Sequence, residues 1–80
     1  DFMKRTYITK MPDKAGAFLR ASRVIAEHGG NIVRVNYNKA VDLHTLFIEV
    51  SADEEQHKRI LSELESIGYI TGTDRSSLLS

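Results

Sequence analysis

The chain has no cysteine, which rules out disulfide staples, thiolate nucleophiles and zinc sites built on thiolates. The same absence favours an intracellular, cytoplasmic setting. An excess of one charge is missing too: 11 Lys and Arg balance 11 Asp and Glu, so no net field draws the chain to nucleic acid or an anionic membrane. No apolar run approaches the roughly 20 residues that a membrane-spanning helix needs. No signal peptide is visible. Patterns that carry catalysis are absent as well, with no Ser-His-Asp set, P-loop or dinucleotide fingerprint. The three histidines, His28, His44 and His57, share no short metal-ligand spacing, and each reads as a surface residue. Asp53, Glu54, Glu55, Glu63 and Glu65 interleave with Lys58 and Arg59, the pattern of a solvated helix face rather than an acid/base pair. No catalytic residue, metal or cofactor is expected.

What remains is the composition of one small globular domain, 80 residues with 41% hydrophobic and 28% charged. Arg5–Lys10 alternates and is dense in β-formers, so it reads as a first strand after the opening Asp1-Phe2-Met3. Met11–Ala15 is a turn. From Gly16 to His28, Phe18, Ala21, Ile25 and Gly29 recur at helical spacing, with Ala17 and Val24 flanking. Gly29-Gly30 supplies the left-handed stop. Asn31–Asn38 is a second strand, with Val33, Val35 and Tyr37 on one face and Ile32, Arg34 and Asn36 on the other. Residues 38–42 form a hairpin connection to a third strand, His44–Val50, with Leu46, Ile48 and Val50 on one face. Ser51 or Asp53 caps a second helix whose stripe is Ile60, Leu61, Leu64 and Ile67, and Gly68 ends it. Tyr69–Thr73 is a short last strand.

The order β-α-β-β-α-β predicts an α+β, ferredoxin-like fold: a four-stranded antiparallel sheet with two helices on one face. Residues 3–73 form the domain and 74–80 a C-terminal tail or linker. Two readings of the start stay open: a domain cut from a longer protein, or a short protein beginning at Met3.

The first strand-to-helix turn, Met11-Pro-Asp-Lys-Ala-Gly-Ala-Phe18, is the candidate site. Backbone N–H groups at a helix start are unsatisfied within the helix and suit a small anion such as a carboxylate. Turn and cap chemistry alone would also account for Pro12, Asp13 and Gly16. Asn31 shifts the balance. If its strand lies on an outer edge of the sheet, it pairs with the same strand of a second copy, and the turn of one chain then faces Asn31 of the other.

The stretch from Asp13-Lys-Ala-Gly-Ala-Phe to His28-Gly-Gly-Asn-Ile32 resembles the core signature of ACT domains, small amino-acid-sensing modules of metabolic enzymes, and the resemblance covers about residues 5–72. It implies an amino acid or similar small ligand bound at a homodimer interface, in a regulatory domain that is not itself an enzyme. A catalytic domain or second ACT-like domain is implied elsewhere in the parent chain. Carried over by position, Gly16 lets the ligand approach the backbone, Asp13 bonds it, and Ala15, Ala17 and Phe18 line or floor the pocket. Asn31, followed by Ile32, reaches in from the neighbouring subunit. Ala15 stands where the family commonly has Pro, and Gly30 replaces a frequent aliphatic residue, removing bulk next to Asn31.

Two alternatives differ in class. RNA-recognition motifs share the strand order and stack bases on sheet aromatics, and Tyr7 and Phe47 are expected side by side on middle strands. The basic start of the longer signature is missing, Thr45 replaces another aromatic, and the charge balance gives RNA little electrostatic pull. The other alternative is a purely structural dimerisation domain.

Overall fold

A computed structural model describes residues 2–11, 14–39 and 44–74. Pro12, Asp13, most of the hairpin connection and the tail beyond Asp74 lie outside the described residues. The elements follow in the order β1 (Met3–Met11), α1 (Lys14–Glu27), β2 (Asn31–Lys39), β3 (His44–Ala52), α2 (Glu54–Ser66) and β4 (Ile70–Asp74). β3 lies between β1 and β2 and is antiparallel to both, so these three long strands and two helices form an α+β fold with β2 as an outer strand. The backbone of β4 runs antiparallel along the other side of β1, with a break in register between Ile8 and Thr9.

The helices cover the sheet face that carries Tyr7, Leu46, Ile48, Val50 and Ala52, all buried. From α1 this core receives Ala17, Ala21, Val24 and Ile25, and from α2 Ile60 and Leu64. Burial at 17, 21, 24 and 25 is the one-face spacing of a helix, and Phe18 packs against it partly buried. On α2 the core stripe runs through His57, Ile60 and Leu64, while Ile67 becomes the exposed C-cap residue.

Both helices end in the same device. Gly29 and Gly68 take positive φ, 78° and 76°. Their amides and those that follow bond back in the 5→2 and 6→1 pattern: Gly29 N to Ala26 O and Gly30 N to Ile25 O, then Gly68 N to Glu65 O and Tyr69 N to Leu64 O. The helix starts differ. Asp53, not Ser51, is the N-cap of α2: its carboxylate accepts from Gln56 N at 2.7 Å, while Gln56 Oε1 accepts from Asp53 N at 2.8 Å. α1 begins two residues before Gly16, inside the expected turn.

The expected alternation along β2 is corrected at Val33. Ile32 opposes Val50 and Arg34 opposes Glu49, so Val33 is an extra residue without a counterpart. This bulge shifts the phase by one. Ile32 therefore shares the helix-side face with Val35, opposite Ile48, and with Tyr37, opposite Leu46, while Arg34 and Asn36 turn to the open face.

Candidate ligand-binding site

α1 and β2 lie side by side, and the groove along them has a pocket at each end. One, of about 410 Å³, is lined by Ala15, Phe18, Val35, Tyr37 and Leu46. The other, about 530 Å³, includes Leu19, Ser22, Arg23, Gly30, Asn31 and Ile32. The expected site residues are thus divided: Ala15 and Phe18 at the start of α1, Asn31 and Ile32 past its end. At about 1.5 Å per residue the 14-residue helix separates these ends by about 20 Å. A free amino acid spans only a fraction of that, so no small ligand touches both ends within one chain. Ala17 is buried against the sheet and holds the helix down, while Gly16 occupies the first turn, half-buried. Asp13 lies outside the described residues.

The first turns of the two helices differ in their acidic residues. Glu54 and Glu55 lie in the first turn of α2, whose capping box occupies two of its amide donors. α1 has no acidic residue in its first turn.

Sequence reasoning missed several residues of this groove. Val35 and Tyr37 join Ala15 and Phe18 only because of the bulge, and Leu46 forms the floor from the neighbouring strand. Arg23 and Ser22 flank Asn31 because they fall on the exposed side of α1, a helical-spacing signal available in principle. Gly30 is corrected: a Cβ there would lie 2.9 Å from Ile25 Cγ2 and 3.0 Å from both Ile60 Cδ1 and Val50 Cγ1. Its missing side chain spares the core rather than opening space beside Asn31.

The proposed aromatic pair does not form. Tyr7 opposes Ile48 and faces the helices, fully buried, whereas Phe47 opposes Ile8 on the open face beside Thr6, Arg34, Asn36 and Glu49. One residue of register separates them, and that places them on opposite sides of the sheet. Arg34 and Glu49 approach to 3.8 Å there.

His57 is also corrected, from surface to fully buried. Its Nε2 lies 2.9 Å from the Met3 carbonyl oxygen, which only accepts, so Nε2 carries a proton. In the neutral ring Nδ1 then accepts from the Tyr7 hydroxyl at 2.6 Å. Burial pushes the Tyr7 phenol up to about 12, with Arg5 pulling the other way. This cluster joins α2 to β1 inside the core, away from the α1–β2 groove. His28 pairs with Glu63 at 2.6 Å, linking the end of α1 to α2. The Thr9 hydroxyl is buried without a hydrogen-bond partner among the described residues.

Comparison with known proteins agrees with this architecture. The family model of the ACT domain matches residues 6–69. Among solved structures, a protein described as a glycine cleavage system transcriptional repressor superposes with a TM-score of 0.73 at 18% identity, over 84% of this chain and 39% of its own. A homoserine dehydrogenase from Thiobacillus denitrificans gives 0.72 at 9% identity, over 92% of this chain and 17% of its own. The ACT domain of a GTP pyrophosphokinase from Chlorobium tepidum gives 0.62 at 14% identity, over 91% and 94%. The chain therefore spans well under half of the repressor and of the dehydrogenase. No curated protein matches it.

Proposed function

The chain belongs to the ACT domain family, and from that premise we propose that it senses a small molecule, an amino acid, at the interface of a homodimer and modulates a metabolic enzyme attached to it or partnered with it. The observation that carries this reading is the division of the groove. The α1 start and Asn31 sit at opposite ends of a helix beside an outer strand. Antiparallel pairing of β2 with its copy across a two-fold axis brings the first end of one chain to the second end of the other. The exposed apolar residues fit such a face, with Leu19 60%, Val33 43%, Val35 39% and Tyr37 36% exposed along α1 and β2.

In that interface Gly16 and the first amides of α1 receive the ligand's carboxylate, and Asp13 with the Asn31 amide oxygen receives its ammonium. Ala15, Ala17 and Phe18 line or floor the site, and Ile32 continues it from the partner subunit. A ligand bridging two subunits biases their arrangement by its differential affinity, worth about 1–3 kcal/mol of coupling. The domain itself is not an enzyme. It works in the cytoplasm, with a catalytic or second ACT-like domain in its parent chain, and β4 completes a four-stranded ferredoxin-like sheet. No helix among the described residues is long and apolar enough to cross a membrane.

Solution mass together with amide shifts tests the reading. A dimer that becomes monomeric on Val35→Lys is expected, as are shifts at Gly16, Ala17 and Asn31 with one or a few of the common amino acids. A dimer showing no shift with any of them at millimolar concentration would leave the structural role alone. A single-stranded RNA role, by contrast, has lost its aromatic platform, since Tyr7 is buried on the helix side.

A further inference from the structure

We infer that the pocket between the first turn of α1 and the middle of β2 receives the ligand's side chain, and that the sensed molecule is therefore an amino acid with a bulky apolar side chain. This rests on the reading above and narrows its ligand class.

The bulge at Val33 carries the argument. With unbroken alternation from Ile32, the residues facing α1 would be Arg34, Asn36 and Asn38, and the pocket wall would be polar. The extra residue exchanges the two sets, placing Val35 and Tyr37 on the helix side and Arg34 and Asn36 on the open face. The wall meets Ala15 and Phe18 from α1 and rests on Leu46, a floor only 2% exposed. Apart from the Tyr37 hydroxyl, every lining side chain among the described residues is hydrocarbon. The volume, about 410 Å³, lies in the range of small-molecule sites and accommodates an aliphatic or aromatic side chain. The other end of the groove differs, with Ser22, Arg23 and Asn31 among its lining groups.

A charged ligand side chain entering this pocket would lose water and gain no charged partner among the described lining residues. A hydrocarbon one would remove its own surface and that of Val35 and Phe18 from water. Glycine would leave the pocket empty. Since one methylene in an apolar pocket changes affinity by about 10–200-fold, leucine or phenylalanine should outbind glycine, aspartate and lysine by about 100-fold or more.

Calorimetric titration of the 80-residue chain with those five amino acids tests this, with solution mass recorded alongside. Val35→Thr keeps shape and β-branching and places a hydroxyl in the wall. It should leave the dimer intact and weaken leucine or phenylalanine by about tenfold. Tight binding of glycine, aspartate or lysine, equal to that of leucine and phenylalanine, overturns the inference and leaves the sensing role standing. So does an unchanged affinity in Val35→Thr. Binding of none of them by an intact dimer overturns the inference, and only silence with every common amino acid overturns the sensing role as well.

Discussion

Replacing Tyr7 with phenylalanine keeps the ring in the core and removes one hydroxyl. The structure says what that hydroxyl does: it lies 2.6 Å from Nδ1 of a fully buried His57 whose other nitrogen is committed to the Met3 carbonyl. Without it Nδ1 has no donor. Moving the proton to Nδ1 would only sacrifice the bond to Met3. A buried acceptor left unsatisfied costs about 1–3 kcal/mol, so Tyr7→Phe should lower the midpoint in thermal unfolding by about 4–8 °C per kcal/mol. The difference should also depend on pH. Burial raises the Tyr7 phenol from 10.0 to about 12, so above pH 10 the unfolded chain releases this proton while the folded chain keeps it. The unfolded state then binds fewer protons, and stability falls as pH rises through that window. At about 1.4 kcal/mol per unit, the loss builds through that window and reaches about 2 kcal/mol by pH 12, where half of the folded chain has itself lost the proton. The Tyr7→Phe variant has no such proton to lose, so the gap between the two proteins should close across that range. Urea unfolding followed by far-ultraviolet circular dichroism at about pH 7, 10 and 11.5 measures it. Equal stability at neutral pH would refute the assigned hydrogen bond, and a gap that stays constant into the alkaline range would refute the burial-raised phenol.

The two helix-ending glycines offer a paired test. Gly29→Ala and Gly68→Ala both force a Cβ into the left-handed region, costing about 1–2 kcal/mol each, but only at Gly29 does the new atom fall 2.6 Å from Gln56 Nε2. Gly29→Ala should therefore be the more destabilising in chemical denaturation, and the reverse order would contradict the contact. Asp53→Ala removes the carboxylate that caps α2 and should cost about 0.5–2 kcal/mol, with faster amide exchange at Gln56 as its signature.

Much of this architecture was legible because it is local. Gly29 and Gly68 each follow a stretch of helical spacing, and only glycine takes φ near +77° without penalty, so both helix ends could be read from the chain. The alternation of β3 grouped Leu46, Ile48 and Val50 on one face, and all three are buried together in the structure. The second helix start was legible to within two residues, as Ser51 or Asp53, and the structure selects Asp53, with Gln56 closing the capping box. The residues of the proposed site, Asp13, Ala15, Gly16, Ala17, Phe18, Asn31 and Ile32, came from a resemblance to a signature. Its family is borne out over residues 6–69.

What the chain alone could not reveal depends on who faces whom across the sheet. Strand period is two, so a single extra residue at Val33 reverses every side chain after it, and nothing in Asn-Ile-Val-Arg-Val announces a bulge. Tyr7 and Phe47 look like a matched pair until the register of β1 against β3 puts them on opposite faces. His57 reads as a polar residue early in a charged helix. Only the packing of α2 over β1 supplies the hydroxyl and carbonyl that let it be buried. Local spacing and backbone preference determined the order, ends and caps of the elements. Tertiary structure decided the register, and through it which face became core, which became groove and what chemistry the groove offers.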